Sequence, residues 1–264
     1  MKYNLDTFLK LSDKYLKYSF MLYPISLKDV NLKLQHSMMQ SHQSNTDTIF
    51  SIRKIIEIKK VNDVFCLSRS LFESIVNMGI IMSGKIENAE DRFYEYQYVE
   101  AYRTFQHLKR IEPDFVNKVY KHDTVNIITK GRNNFVLKYG NLNNWCGLNM
   151  IERVNLIDKV FPPTCSFDKI YEYLYCQVYR KGSNAIHRTF TGLGRANIIR
   201  IIELNGSNYI SPMADIGNLE LSCIHSLAVY LSSIRFLGYL LVGKKNSIET
   251  YYQEEIARIF EGKE

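Results

Sequence analysis

The chain has 264 residues, of which 46% are hydrophobic and 23% charged, and this composition excludes an intrinsically disordered protein. Its five cysteines are scattered and form no CxxC pair, so neither a disulfide framework nor a zinc site is expected. The formal net charge of +7 favours acidic partners such as nucleic acid, with a solvated basic surface as the alternative. The first residues lack the long apolar stretch of a secretory signal, and we therefore expect a cytoplasmic protein.

Apolar residues recur at helical spacing along most of the chain and predict a single, mainly all-α domain, a helical bundle over residues 1–264. We divide it into N-terminal helices (1–45), a motif-bearing helical core (46–190) and C-terminal helices (191–264). Polar residues at 40–47 and the glycine- and asparagine-rich residues 130–149 are expected to lie outside helices, the latter as a mobile loop. The predicted helices cover residues 5–20, 27–39, 49–82 with a break near Val61, 89–110, 151–161, 166–187, 219–242 and 247–260.

Three features of the later part of the chain refine this prediction. Ser166 is the expected cap of the helix that ends at His187, and a small β-hairpin is predicted near residues 197–211. Residues 219–242 are apolar on nearly every side and long enough to span a membrane, but they include charged side chains. We interpret them as a buried helix that also suits a subunit interface, and we expect no membrane partner.

The helix that ends at His187 carries the residues best suited to chemistry. Seven positions along a helix amount to about 700°, close to two turns, so Arg180 and His187 share a face, with Ser183 between them. An imidazole exchanges protons near neutral pH and a guanidinium holds a phosphate, which favours phosphodiester chemistry without a metal or cofactor. In the alternative interpretation, Gly182 and Ser183 let another helix approach, Arg180 pairs with a carboxylate, and His187 complements the helix dipole.

A second pair, Arg69 and Glu73, is spaced i, i+4 inside the apolar stretch 65–76. Charges in such surroundings are expected to be partly buried and to need partners. Two arrangements remain open at this stage. The two side chains pair with each other and fix how two helices pack, or Glu73 orients Arg180 or His187 across a helix interface.

These two segments resemble a known pattern. Arg69-Ser-Leu-Phe-Glu73 and the later segment from Tyr179 to His187 are similar to a widespread family of uncharacterised, all-helical bacterial proteins, with an Arg-x3-Glu helix and a Tyr-x3-Ser-x3-His helix. The resemblance covers roughly residues 50–190. Arg180 and His187 also resemble the Arg-x(4–6)-His signature of the HEPN superfamily, although Lys181 stands where HEPN nucleases usually have Asn, Asp or His.

Many HEPN proteins are metal-independent ribonucleases of toxin–antitoxin and antiphage systems, in which two Arg-His motifs meet at a dimer interface. The resemblance therefore implies a homodimer that binds RNA or a nucleotide and meets a cognate antitoxin or another defence-system protein. It also implies that His187 is the general acid or base and that Arg180 holds the phosphate. The remaining candidate residues are Ser183 as a third catalytic residue and Arg69, Glu73, Tyr179 and Asn184 in support. The alternatives are a non-catalytic binding or scaffold module and a nucleotide sensor with phosphates on Arg69 and Arg180.

Overall fold

The computed structural model of the chain describes residues 4–22, 32–162, 168–187, 197–204, 207–243 and 247–262, and it is mainly α-helical, as predicted. An antiparallel ribbon of β1 (Asn197–Leu204) and β2 (Ser207–Ala214), with Ile201 opposite Ile210, confirms the predicted hairpin. The helices are α1 (Leu5–Phe20), α2 (Leu32–Glu57), α3 (Val61–Ser83), α4 (Ala89–Ile111), α5 (Pro113–Val119), α6 (His122–Tyr139), α7 (Met150–Val160), α8 (Ile170–Leu174), α9 (Arg180–Ile186), α10 (Ile216–Val242) and α11 (Ser247–Glu261).

Helix α10 lies at the centre of the bundle and packs against α1, α2, α3 and α11. By length and composition alone, α3 and α10 are long and apolar enough to cross a membrane. However, 94% of the most apolar window of α10 is buried within the chain, as in the core helix of a soluble protein. The prediction of a buried helix is thus confirmed. Because neighbouring helices cover α10, its apolar breadth gives no support to the subunit interface that we expected from it.

The polar tract 40–47 was predicted to separate two helices, and this prediction is wrong because α2 runs through it without a break. The tract supplies a buried polar layer that faces α10. The two ring nitrogens of His42 lie 2.5 Å from Ser19 Oγ and 2.7 Å from Ser233 Oγ, and Asn45 Nδ2 donates to the same Ser233 oxygen at 3.1 Å. Hydrogen bonds of this kind offset the cost of burying polar groups.

The buried histidines predict a loss of stability in acid. Burial lowers the pKa of His42 to about 4, and burial together with nearby Lys181 lowers the pKa of His225 to about 3. An unfolded histidine binds its proton at a pH of about 6.5, so acid favours the unfolded chain as the pH falls from about 6.5 towards 4. We expect the free energy of unfolding to fall by about 2 kcal/mol per histidine between pH 7.5 and 5, as measured by urea unfolding.

Substitution of one histidine tests this expectation. His42→Gln should remove about half of the loss that the two buried histidines contribute, whatever its effect on stability at pH 7.5. The control is His107→Gln, since His107 is exposed on α4 and its replacement should leave the pH dependence unchanged. A His42→Gln protein with the wild-type pH dependence would show that His42 is not held neutral in the folded state.

The prediction of a loop over residues 130–149 is wrong for its first half, which continues α6 as far as the end of that helix. Gly131 is responsible for the error. A Cβ atom at this glycine would lie 2.4 Å from Cγ of Tyr98, so the residue marks a close approach of α6 to α4 and not a turn. The second half is a loop, and it packs against α3, where the buried Trp145 Nε1–H donates to Asn77 Oδ1 at 3.0 Å.

Candidate functional site

The helix that carries the predicted site begins at α8, beside the carboxylate of Asp158 from α7. The two oxygens of Asp158 accept hydrogen bonds from the backbone N–H groups of Tyr171 and Glu172, both at 2.9 Å. Burial raises the pKa of Asp158 to about 6, and these two hydrogen bonds limit the rise. The predicted cap, Ser166, lies outside the described residues. Within them, Asp158 of the preceding helix binds the start of α8.

A π-helical turn, Tyr175–Tyr179, joins α8 to α9. The sequence predicted one uninterrupted α-helix here, and the continuous path to His187 is confirmed apart from this wider turn. Wider turns of this kind occur frequently at functional sites. The turn ends before Arg180, so the candidate residues keep α-helical spacing, and His187 N–H donates to the Ser183 carbonyl at 3.0 Å.

Helix α9 presents the predicted residues on its solvent side. Arg180 and His187 are exposed, and Ser183 is half-buried. At 100° per residue, the three side chains project within an arc of about 60°. In the described part of the chain, no carboxylate pairs with Arg180 or His187. The alternative in which Arg180 forms a structural ion pair therefore gains no support there.

The opposite side of α9 packs tightly on α3. A Cβ atom at Gly182 would lie 2.4 Å from the Phe65 carbonyl oxygen and 2.5 Å from Arg69 Cβ, so only a glycine permits this approach. The interpretation that Gly182 lets another helix approach is confirmed. Lys181 is buried, and its charge contributes to the lowered pKa of His225 in the interior.

The structure places Arg69 and Glu73 next to the start of α9. Arg69 Nε donates to Glu73 Oε1 at 3.0 Å, and the Arg69 guanidinium lies 4.9 Å from the centre of the Tyr179 ring. Their side chains are 20% and 40% exposed, so the expected partial burial is confirmed. Of the two arrangements left open, the described residues show the direct pair. The last supporting residue, Asn184, is half-buried on α9.

Residues 38–200 match the sequence model of a family of unknown function, DUF5677. The chain belongs to this family. The match contains both segments that carry the predicted resemblance, Arg69 to Glu73 and Tyr179 to His187, and it confirms the expected membership of an uncharacterised family. No comparison indicates a relationship to the HEPN superfamily. No curated protein and no solved structure matches the chain.

The DUF5677 region also contains a group of residues that sequence reasoning did not identify. Arg103 and Arg153 line a polar cavity of about 740 Å³ between α2, α3, α4 and the loop that follows α6. The signal that could have pointed to them was the only tryptophan of the chain, Trp145, set among asparagines in that loop. A large aromatic residue in a polar loop indicates that the loop packs its ring against the rest of the protein.

Proposed function

We propose that this DUF5677 protein is a HEPN-like effector that binds and cleaves RNA at the face formed by Arg180, Ser183 and His187. One observation carries the proposal. A cation and an imidazole are exposed at α-helical spacing on one face, and neither forms an ion pair with a carboxylate in the described residues. A guanidinium with no carboxylate partner suits a phosphate group. The net charge of +7 adds long-range attraction for RNA.

In the proposed reaction, the ribose 2′ oxygen attacks the neighbouring phosphorus while the bond from phosphorus to the 5′ oxygen breaks. His187 of one protomer takes the 2′-hydroxyl proton, and His187 of a second copy gives a proton to the leaving 5′ oxygen. Arg180 holds the charge that develops on the phosphate, and Ser183 donates a hydrogen bond to it. A homodimer that brings two α9 faces together would supply both imidazoles.

Contacts between α9 and α3 support this face. Gly182 sets the distance between α9 and α3, and the Arg69 guanidinium, bonded to Glu73, packs on the Tyr179 ring one residue before Arg180. The chain departs from the usual HEPN signature at Lys181, which is buried and does not contribute to the exposed face. We further propose that the protein acts in the cytoplasm and is bound there by a cognate antitoxin or another defence-system protein.

Substitution of the two exposed residues tests the proposal. Arg180→Ala and His187→Ala should each lower the rate of RNA cleavage by about 100-fold or more, because each removes one group from the transition state. The measurement is fragmentation of total RNA in expressing cells and by the purified protein. Both residues are exposed, so the melting temperature should stay close to that of the wild type.

The chain offers a matched control on α4. Arg110 and His107 are also exposed, and they bond to each other at 3.1 Å. Arg110→Ala and His107→Ala should leave RNA cleavage and toxicity unchanged. If His187→Ala kept full cleavage, or if the wild type bound RNA and left it intact, the catalytic proposal would be wrong.

A second candidate, a non-catalytic binding module, is favoured by the cluster of Arg69, Glu73 and Tyr179, which is internally paired and holds α3 against the π turn. In that case, substitutions at Arg69 should lower the melting temperature and abolish the cellular phenotype together. Substitutions at His187 should then affect neither.

A further inference from the structure

The polar cavity between α2, α3, α4 and the loop 140–149 lies apart from the residues proposed for RNA cleavage. It encloses about 740 Å³, within the range of small-molecule sites. Its lining shares no residue with the exposed face of α9. Hydroxyl, amide, imidazole and guanidinium side chains from several elements converge on it, among them His36, Ser44, Ser74, Gln97, Arg103 and Arg153.

Arg153 is fixed at the cavity wall by neutral oxygens. Its Nε donates to the Leu148 carbonyl at 2.9 Å, and its Nη1 donates to Asn77 Oδ1 at 3.0 Å. The same Asn77 oxygen accepts the indole N–H of Trp145. A guanidinium has five N–H donors, so Arg153 is held in place and still has donors for a ligand.

Arg103 is fixed in the same way from α4. Its Nη1 donates to the Tyr96 hydroxyl at 2.7 Å, and its Nη2 donates to the Leu142 carbonyl at 3.0 Å. Within the described part of the chain, neither arginine forms an ion pair with a carboxylate, and Glu100 is the one acidic side chain in the described lining. Two held guanidiniums against one carboxylate leave the cavity with a net positive charge, and it therefore suits an anion.

Aromatic rings line the same cavity. The Tyr94 ring is half-buried in the wall, and the buried Trp145 packs edge-on against Phe93 with ring centres 5.3 Å apart. An aromatic face and guanidinium groups in one cavity are the combination that binds a planar base and a phosphate at once. A simple inorganic anion would leave the aromatic wall and the amide groups unused.

We propose that this cavity binds a nucleoside monophosphate, with the phosphate on Arg103 and Arg153 and the base against Tyr94. Ser74 and Gln97 are placed in the lining to bond the base or the ribose. This site goes beyond the proposed RNA-cleaving face and does not depend on it. A nucleotide held between α3 and α4 would stabilise the folded protein by mass action.

The tryptophan makes the test direct, because Trp145 is the only tryptophan of the chain and it lines the cavity. The full chain is titrated with AMP, GMP, CMP and UMP, with indole fluorescence and calorimetry as the two readouts. We expect saturable binding of at least one of them, while the matching nucleoside binds about 10-fold or more weaker. No saturable binding of any of the four, or equal binding of the nucleoside, would overturn the proposal.

Substitution of the two cavity arginines tests whether they bind the phosphate of the nucleotide. Arg103→Gln and Arg153→Gln should each weaken binding by about 10- to 100-fold, whereas Arg110→Gln, farther along α4 and outside the cavity, should change it by less than about two-fold. Because the arginines also hold the loop, Ser44→Asp is the second variant. Ser44 is exposed at the cavity, so aspartate adds a repelling charge without removing a described side-chain hydrogen bond. Wild-type affinity in Ser44→Asp and in the double arginine variant would refute the site.

Discussion

Gly182→Ala is expected to lower the free energy of unfolding by about 1–3 kcal/mol, although alanine is the better helix former by about 1 kcal/mol. The added methyl group would lie 2.4 Å from the Phe65 carbonyl oxygen and 2.5 Å from Arg69 Cβ. Both are backbone or near-backbone atoms that cannot rotate away, so α9 must move off α3. Urea unfolding followed by circular dichroism measures the loss.

Gly217→Ala is the matched control, since Gly217 lies in the first turn of α10 and its Cβ would be 3.6 Å from Asp215 Oδ1, an ordinary contact. We expect this variant to be as stable as the wild type or slightly more stable. Gly182→Ala should also reduce any RNA cleavage, because α9 carries Arg180 and His187. Equal stability of the two alanine variants would contradict the close approach of α9 to α3.

Periodicity predicted most of the fold because most helices of this chain bury a simple apolar stripe. The predicted bounds of α1 are those observed, Leu5–Phe20, and α4 ends at Ile111, one residue beyond the predicted end, just before the Glu112–Pro113 step. These signals are local. A helix that buries one side and ends at a proline can be identified from its own residues.

The errors occur where long-range contacts override the local pattern. Polar residues in α2 lie inside the bundle because His42 bonds to Ser233, 191 positions away in the sequence. No reading of residues 40–47 alone could supply that partner. The two helical glycines also cannot be told apart from the local sequence. Gly182 was interpreted as a close contact and Gly131 as part of a loop, although both lie at close contacts. Each lies against a side chain or backbone of another helix.

Some features of the candidate site could likewise be predicted from the local sequence, and others could not. The shared face of Arg180 and His187 follows from helix geometry and was predictable, as was the i, i+4 pair of Arg69 and Glu73. The contact between the two segments needs the tertiary fold. So does the polar cavity, because its arginines, Arg103 and Arg153, come from helices 50 positions apart and only the folded chain brings them together.

Arg235→Met is expected to lower the free energy of unfolding by about 3–5 kcal/mol, the loss that follows when one partner of a buried pair is removed. Arg235 in α10 is 2% exposed and binds Glu249 of α11 through two hydrogen bonds, at 2.8 and 2.7 Å. It also donates to the Phe161 carbonyl at 3.1 Å and lies 4.3 Å from the centre of the Tyr252 ring. Thermal and urea unfolding at pH 7.5 measure the effect.

The double variant Arg235→Met/Glu249→Leu distinguishes two causes of the loss: the missing ion pair itself, and the Glu249 carboxylate that stays buried without its partner. It should recover much of the loss, since two apolar side chains replace both ions. A double variant as unstable as Arg235→Met would show instead that the loss comes from the hydrogen bond to the Phe161 carbonyl and the packing on Tyr252.

The pH dependence of the same variant gives an independent check. Burial alone would raise the pKa of Glu249. The hydrogen bonds and charge of Arg235, with smaller contributions from the hydrogen bonds of Tyr239 and Gln253, outweigh burial and lower that pKa below its usual value. The wild type therefore keeps the stability from this carboxylate above a pH of about 4.3 and loses it only as the pH falls through the lowered pKa. Without Arg235, we expect burial to raise the pKa of Glu249, so that protonation then favours the folded state. The stability difference between wild type and Arg235→Met should consequently shrink from pH 7.5 to pH 5, and a constant difference would mean that Glu249 reaches solvent once its partner is gone.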